Sequence, residues 1–349
     1  MALLLLAPHA HIAWRDDRTL VLEDPAAPDA QVQVANAVPA LVRWLRGCNG
    51  TRTLAQVIAS ARRQGIDPEA ARELLDLLVE TGLLTLDAPD AGLGQELPPE
   101  ALSPLRQDLE ALALAGRAAE RTLRLRRDHH VYIEGGNRVA HALVDVLAAS
   151  HIGGLTVRGQ HISRRPVALR DVSPFGPGSQ DVGAAPSLAL RRHIERALPS
   201  PASTHRAVAL LCDTHLDPGD ELAYQALRMP YLRVLTTSRY ATIGPLTLPG
   251  HTVCWSCIAL HRSDRDPHWP QVLAQFDQQR RDSAPVDSAF AMRVASEAAD
   301  QLLRVIDLED PSSLVNRTLH IDRADGSLRR RQWRVHPDCP CQWRQDAAA

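Results

Sequence analysis

Four of the six cysteines fall in two close pairs in the carboxyl-terminal third of the chain. The first pair is Cys254 and Cys257, and the second pair is Cys339 and Cys341. Thiolate sulfur is a preferred ligand of zinc, and four cysteines complete a tetrahedral shell that leaves no position for water. A closed shell of this kind contributes folding free energy and has no open position for catalysis. The spacing therefore predicts a structural Zn²⁺ site.

Other interpretations of the cysteines stay open at this point. The first pair could be a redox Cys-x-x-Cys motif, although such a motif does not need a second close pair. His251 or His336 could replace one thiolate, because both lie near the cysteines in the sequence. Cys48 and Cys212 fall in an apolar helix and an apolar strand, so we expect them to be packed as small buried side chains.

A glycine-containing turn follows the apolar strand Val131-Tyr132-Ile133 and precedes an apolar-faced helix. A dinucleotide fingerprint needs Gly-x-Gly-x-x-Gly so that the backbone can approach the phosphates. Only the first glycine is in register here, and an arginine stands on the phosphate path; the turn residues are Gly135, Gly136, Asn137 and Arg138. Arg158 replaces the acidic residue expected after the second strand. The sequence therefore predicts a Rossmann-like scaffold on which ATP is not bound.

Composition excludes several classes of function. The chain has 349 residues and a net charge of −2, so no overall positive field indicates nucleic acid or an anionic membrane. It contains no lysine, which excludes a P-loop lysine, a Schiff base and a lysine general base. The apolar opening is too short for a signal peptide and no later stretch is long enough to span a bilayer, so we expect a cytoplasmic protein.

The pattern of elements predicts two domains. Short strands and three amphipathic helices over residues 1–87 indicate a winged-helix-like module. Residues 88–104 are rich in Pro, Gly and acids and are expected to be a linker. Residues 105–349 begin with a long helix and continue with strand and helix patterns typical of an α/β domain. Within that domain, the stretch from Ser163 to Ser203 is expected to be irregular.

The first module offers a surface for an extended peptide. The strand Gln31, Val32, Gln33 and Val34 alternates polar and apolar residues, and at a sheet edge its backbone could pair with a peptide. The third helix would form the other wall of the groove. That helix carries five acidic residues against one arginine, which is the wrong sign for DNA phosphates.

Two longer motifs resemble a known family. The stretch from Ile243 to Pro270 contains Gly-Pro, Pro-Gly, Cys-x-x-Cys and then Arg-x-x-Arg-Asp-Pro-x-Trp-Pro, and Trp333 to Cys341 is similar to a carboxyl-terminal zinc half-site. These motifs resemble the ThiF-like partner proteins of thiazole and oxazole peptide biosynthesis, including that of bacteriocins. Residues 9–87 are similar to the PqqD-like element that recognises leader peptides in that family, and residues 105–345 to its ThiF-like domain.

The resemblance implies a role in the modification of ribosomally made peptides. The protein would bind the leader of a precursor peptide and present its core to a YcaO-type cyclodehydratase, which uses ATP to form azolines. By analogy, the leader would add a strand beside Gln31 to Val34 and contact Arg72, Leu75 and Val79 on the third helix. The degenerate glycine turn departs from the adenylating ThiF relatives, which agrees with a non-catalytic partner subunit. The resemblance further implies a homodimer.

Two other classes of function remain open. A ubiquitin-activating type of enzyme would adenylate its substrate and would exchange pyrophosphate with ATP on its own. A winged-helix regulator held together by zinc would bind duplex DNA with a steep salt dependence.

Overall fold

A computed structural model of the chain describes residues 3–86, 105–114, 118–158, 165–212, 218–279, 284–308 and 314–342. These residues form two compact units, Met1–Leu123 and Arg124–Ala349. The predicted linker 88–104 lies outside the described residues. The described residues between 105 and 123 fall in the first of these units. The domain boundaries given by the sequence analysis, with a second domain from residue 105, stay a prediction. The buried residues of the segment 105–123 pack with one another in a small cluster: Leu105, Leu109, Ala119 and Leu123.

The first unit contains two antiparallel three-stranded sheets and several helices. One sheet has the order β5-β1-β6 and the other has the order β2-β3-β4. The strands are β1 (Leu3–Leu6), β2 (His11–Trp14), β3 (Leu20–Asp24), β4 (Ala27–Val34), β5 (Asn49–Thr53) and β6 (Leu84–Thr85). The helices are α1 (Pro39–Arg46), α2 (Leu54–Arg63), α3 (Pro68–Glu80) and α4 (Arg106–Leu114); α5 (Ala119–Asp128) crosses the boundary between the units.

Local sequence signals explain where the first helices begin. Thr53 caps α2 through a reciprocal capping box with Gln56. Asp67 caps α3 by accepting a hydrogen bond from the Ala70 amide, and Pro68 occupies the first helical position. The apolar faces of α1, α2 and α3 then bury their side chains against both sheets in one core.

The seven-stranded sheet of the second unit has the order β13-β12-β11-β10-β9-β7-β8. Strands β7 to β10 run parallel to one another, and β11 to β13 continue the sheet in antiparallel fashion. The strands are β7 (His129–Glu134), β8 (Gly154–Val157), β9 (Arg206–Leu211), β10 (Tyr231–Thr236), β11 (Tyr240–Thr247), β12 (Arg317–Asp322) and β13 (Leu328–Gln332). The helices are α6 (Arg138–Ala149), α7 (Pro186–Ala197), α8 (Pro218–Ala226), α9 (Trp255–Ser263), α10 (Trp269–Gln279) and α11 (Ser288–Leu308).

A large apolar core lies between the sheet and helices α6 and α11. Strand β9 contributes a nearly continuous apolar run, whereas β7 places Val131 and Ile133 in the core by alternation. The α/β class and the Rossmann-like architecture predicted for this part of the chain are therefore confirmed. The winged-helix character of the first unit stays a prediction.

Two local expectations were wrong. Helix α7 lies inside the stretch from Ser163 to Ser203 that was expected to be irregular, and it buries Leu190 and Ile194 in the core. The long helix expected from residue 105 is two helices, α4 and α5. Within the described residues, no helix is both long and apolar enough to cross a membrane.

Candidate functional site

The two cysteine pairs meet in the second unit. Cys254 is the residue that precedes α9 and Cys257 lies in its first turn, while Cys339 and Cys341 flank Pro340 near the carboxyl terminus. The Sγ atoms of Cys254 and Cys257 are 3.7 Å apart, those of Cys254 and Cys339 are 3.6 Å apart, and those of Cys257 and Cys341 are 3.6 Å apart. All four side chains are buried, and all four sulfur atoms lie within 4.8 Å of one another.

This geometry fits a tetrahedral metal site. Four sulfur atoms at the usual zinc distance of about 2.3 Å would lie about 3.8 Å from one another. The observed separations are close to that value and much longer than the S–S bond of a disulfide, about 2.05 Å. Hydrogen bonding to the other three thiols and burial raise the pKa of Cys254. Because several thiolates cannot share a buried space without a cation, the cluster is chemically suited to a soft divalent metal ion.

The two histidines considered as replacements do not join this cluster. His251 is exposed. His336 is buried, but its Nε2 atom lies 3.0 Å from an Asp264 carboxylate oxygen, and its Nδ1 atom accepts a hydrogen bond from the Asp338 amide. His261, Asp264 and His336 form a separate group of potential ligands. Both ring nitrogens of His336 already have partners in this group, since Nδ1 accepts from the Asp338 amide and Nε2 lies on the Asp264 carboxylate.

The turn after β7 approaches the backbone of Cys212, which follows β9. Gly135 has φ +131°, and a Cβ atom at this position would lie 2.7 Å from the Cys212 carbonyl oxygen. The side chain of Asn137 caps α6 by accepting a hydrogen bond from the Ala140 amide, and it also donates to the Cys212 carbonyl. The first glycine is therefore required by close backbone approach, independently of any phosphate.

A cavity of about 650 Å³ opens beside this turn. It is lined in part by Gly136, Asn137, Arg138, Arg165 and Arg170. The guanidinium group of Arg138 donates to the carbonyl of Val286 at 3.0 Å and to that of Arg170 at 3.4 Å. The arginine that the sequence placed on the phosphate path is thus held in the cavity wall by backbone acceptors.

Sequence reasoning missed the other cationic residues of this cavity. Arg165 and Arg170 lie in the stretch that was expected to be irregular. Arg165 binds both oxygens of Asp171 through one guanidinium nitrogen, at 2.8 and 3.0 Å. The many arginines of that stretch were the one sequence signal that could have indicated a cationic cavity wall.

Among the residues that the structure describes, the one that follows β8 is an arginine and not an acceptor for a ribose hydroxyl. Arg158 follows β8 immediately, and its guanidinium carbon lies 5.3 Å from the ring centre of Tyr132 and 5.6 Å from that of Tyr224. Cation–π contacts of this kind hold the arginine in the place where an acidic residue is expected.

Strand β4 carries the residues predicted to pair with a peptide. It lies at the edge of its sheet and, among the described strands, pairs only with β3. Gln31 and Gln33 are exposed, Val32 is buried and Val34 is half-buried, as the alternation predicted. A line of unpaired backbone groups at an edge can accept a further strand.

The three residues predicted on α3 differ in exposure. Arg72 is exposed and Val79 is half-buried, so both are accessible to a ligand. Leu75 is 1% exposed and packs inside the core of the first unit, where it supports the helix from within. Leu77, which the sequence analysis did not single out, is 43% exposed on the same helix.

The remaining predicted packing roles agree with the structure. Cys48 and Cys212 are both buried, and burial raises the pKa of Cys48 to about 11. A thiol with a raised pKa in an apolar environment is unreactive.

Comparison with known proteins gives a likeness of fold. No protein-family model matches the sequence, and no curated protein matches it significantly. A structure of E. coli MccB with AMPCPP and MccA has a TM-score of 0.73 at 13% identity, over 98% of this chain and 99% of that one. A structure of E. coli MccB with ATP has a TM-score of 0.70 at 14% identity, over 97% and 99%. The heterocyclase TruD has a TM-score of 0.61 at 17% identity, over 98% of this chain and 43% of TruD.

Proposed function

We propose that this protein binds the leader of a ribosomally made precursor peptide and presents the core of that peptide to a YcaO-type cyclodehydratase. The partner enzyme activates a backbone amide with ATP, and a Cys, Ser or Thr side chain closes onto it to form a thiazoline or oxazoline. The observation that carries the proposal is the edge strand β4, which among the described strands pairs on one side only.

The structure supports peptide capture by strand addition. An extended leader placed beside β4 would gain main-chain hydrogen bonds, and its alternate side chains would lie on the two faces of the sheet. Gln31 and Gln33 leave one of these faces polar and open. Arg72 and Val79 lie on one face of α3 and are accessible to the peptide side chains, whereas Leu75 is buried and supports the helix from within.

The named neighbours support the same class of function. MccB structures with the same fold contain the precursor peptide MccA, and TruD is a heterocyclase. Both likenesses extend over 98% of the present chain. In our proposal, this protein likewise binds a precursor peptide, through its leader.

An adenylating enzyme is the second candidate. It is favoured by the 650 Å³ cavity beside the glycine turn and by the MccB structures that contain ATP or AMPCPP. Two arginines argue against it. Arg138 is held against the Val286 and Arg170 carbonyls at the start of α6, and Arg158 stands in the place of a ribose-binding acid. We therefore assign the ATP chemistry to the partner enzyme.

Zinc completes the proposal as a structural element. Cys254, Cys257, Cys339 and Cys341 would hold the ion, which would supply folding free energy and tie the carboxyl-terminal segment to α9. The group of His261, Asp264 and His336 is left out of this assignment, because both ring nitrogens of His336 already have partners. The resemblance to ThiF-like proteins also implies a homodimer, which light scattering on the purified chain would test.

Peptide binding tests the proposal. The first step is a search of the neighbouring genes for a short Cys/Ser/Thr-rich reading frame that encodes a precursor peptide. The leader of that peptide is then labelled, and fluorescence anisotropy measures its affinity for the full chain. We expect low-micromolar or tighter binding that survives deletion of the core sequence. The absence of binding by the full-length precursor at tens of micromolar would contradict the proposal.

Proline substitutions locate the binding edge. Adjacent residues of a strand point their amides to opposite sides, so one of Val32→Pro and Gln33→Pro removes an outward donor while keeping the β3 ladder intact. We expect at least one folded variant of this pair to lose binding. Trp14→Pro on β2, the opposite edge of the same sheet, is the matched control: Arg15 donates to the Thr19 carbonyl, so the amide of the adjacent Trp14 points away from β3. This variant should bind normally.

A further inference from the structure

The large sheet ends in a strand whose exposed edge is strongly basic. Strand β13 reads Leu-Arg-Arg-Arg-Gln, all five residues are exposed, and its only described neighbour in the sheet is β12. Arg329 and Arg331 stand opposite His320 and Thr318 on one face, while Arg330 stands opposite the buried Leu319. Three consecutive cations therefore present charge on both faces of a strand that is open along one side.

Two guanidinium groups near this edge are fixed on aromatic rings. The guanidinium carbon of Arg331 lies 3.9 Å from the ring centre of Trp333, and that of Arg262 lies 4.9 Å from the ring centre of Trp269. Stacking leaves the edge of a guanidinium free to donate while it limits the motion of the side chain. These two arginines are thus held ready to bind a planar anion such as a carboxylate.

The two cations also lie close enough to repel each other. Partial burial and the charge of Arg331 lower the pKa of Arg262. Burial and the charges of both arginines lower the pKa of His320, whose two ring nitrogens lie 3.0 Å from the hydroxyls of Thr242 and Thr318. Repulsion between like charges has a cost in free energy, which a bound anion would remove.

The simplest explanation of charged residues on an edge strand is protection against aggregation. One or two charges suffice for that purpose, and protection does not require stacked or mutually repelling guanidiniums. The chain carries 41 acidic residues, yet none of those in its described part lies within 4.0 Å of the guanidinium groups of Arg262, Arg330 or Arg331. Arg329 lies 4.0 Å from a carboxylate oxygen of the exposed Asp325, so that residue is the one member of the cluster with an acidic neighbour at this distance. Three uncompensated cations in a chain with net charge −2 favour an external anionic ligand.

We infer that β13 is a docking edge for an extended acidic segment of a partner protein, whose backbone pairs with β13 and whose carboxylates bind Arg329, Arg330, Arg331 and Arg262. The open edge favours a polypeptide over a nucleic acid, because a phosphate backbone has no donors for a β-ladder. A second copy of this edge would bring arginine against arginine, so the partner is a different chain. The inference does not depend on leader capture by β4.

The register sets the pattern of the ligand. A strand beside β13 would place alternate side chains on the face of Arg329 and Arg331, and the intervening ones on the face of Arg330. Acidic residues at every second position would contact Arg329 and Arg331. One of these acidic residues would lie between Arg331 and Arg262. The probe is therefore a fluorescent octapeptide of alternating Glu and Thr.

Fluorescence anisotropy with the full chain at low salt tests the inference. We expect the Glu/Thr octapeptide to bind, a Gln/Thr octapeptide to bind at least tenfold more weakly, and Arg331→Glu to weaken Glu/Thr binding at least tenfold. Arg63→Glu, an exposed arginine of α2, is the matched control and should leave binding unchanged. Circular dichroism verifies that both variants are folded.

Three results would overturn the inference. The first is absence of Glu/Thr binding at 100 micromolar or below, and the second is equal binding by the wild type and Arg331→Glu. The third is retention of full affinity by a Glu/Thr octapeptide that is N-methylated at alternate residues in both registers, because strand pairing needs those amides. If a single-stranded octanucleotide binds more tightly than the octapeptide, the inference is also wrong, because the ligand of this edge would then be a nucleic acid.

Discussion

The Sγ atoms of Cys254 and Cys339 lie 3.6 Å apart, although the two residues are separated by 85 positions in the chain. The contact joins the beginning of α9 to the last described segment of the second unit. A metal ion at this point would close a long loop, which is where a cross-link constrains the unfolded chain most. The cysteine cluster therefore links metal content to the stability of this unit.

The first prediction concerns that link. The purified protein should contain about one zinc ion per chain, and Cys254→Ser should lose the zinc and lower the midpoint of thermal unfolding. Elemental analysis and calorimetry make the two measurements. Cys48→Ala removes a buried thiol of the first unit and should keep the zinc. Full zinc content in Cys254→Ser would contradict this prediction, because it would show that the zinc is bound elsewhere.

The second prediction concerns a buried ion pair between α5 and α11. Arg126 donates two hydrogen bonds to the carboxylate of Asp307, at 2.7 and 2.8 Å, and both residues are buried. Arg126→Ala would leave the carboxylate buried without its cation, so we expect a loss of about 3–5 kcal/mol in the free energy of unfolding. Urea titration measures the loss.

Two further variants control this measurement. The exposed neighbour Arg127 should tolerate replacement by Ala with a change below about 0.5 kcal/mol. Replacement of both Arg126 and Asp307 by Leu should recover part of the loss, because no charge is then left unpaired. A loss below about 1 kcal/mol in Arg126→Ala would mean that the pair is hydrated and not buried.

The third prediction is a dependence of stability on pH. Burial and the neighbouring His193 lower the pKa of His141 from 6.5 to about 3. Its Nδ1 atom lies 2.9 Å from that of His193, whose Nε2 atom is 2.7 Å from an Asp145 oxygen. Between pH 6.5 and 3 the unfolded chain binds a proton that the folded chain does not. Stability should therefore fall with falling pH by up to about 1.4 kcal/mol per unit, and this residue contributes no slope above pH 6.5.

Replacement of the histidine tests the assignment. In His141→Leu the difference in unfolding free energy between pH 7 and pH 5 should be smaller than in the wild type. The exposed His268 is the control, since His268→Ala should retain the wild-type difference. Equal slopes in all three proteins would assign the pH dependence to other groups.

The fourth prediction concerns nucleotide chemistry. The chain alone, with or without leader peptide, should not catalyse exchange between ATP and labelled pyrophosphate, because Arg138 and Arg158 stand where phosphate and ribose would be recognised. If the purified protein catalyses ATP–pyrophosphate exchange and Arg138→Glu abolishes it, the activity is a property of this chain and not of a contaminant. That result would favour the adenylating enzyme over the partner protein.

Local spacing was sufficient to predict part of the site. The two cysteine pairs were visible because each pair is close in sequence, and the alternation of Gln31 to Val34 predicted which side chains of β4 are exposed. The spacing of Leu74, Leu75 and Leu78 likewise placed Leu75 on the buried face of α3. Its assignment to a groove wall came from family analogy and overlooked that pattern.

The remaining features depend on contacts between distant residues. Strand β1 is a run of leucines without a period, and it is recognisable as a strand only through its partners β5 and β6. Helix α7 begins at Pro186, a valid start signal, but the surrounding prolines, glycines and arginines obscured its apolar spacing. The Arg126–Asp307 pair spans 181 positions and has no local signature.

Hydrogen–deuterium exchange with and without bound leader peptide tests the central claim most directly. Strand addition predicts that the leader slows exchange of amides in β4, Ala27–Val34, and leaves the turn Gly135–Arg138 unchanged. Protection confined to the turn and its cavity, with unchanged exchange along β4, would contradict leader capture at this edge.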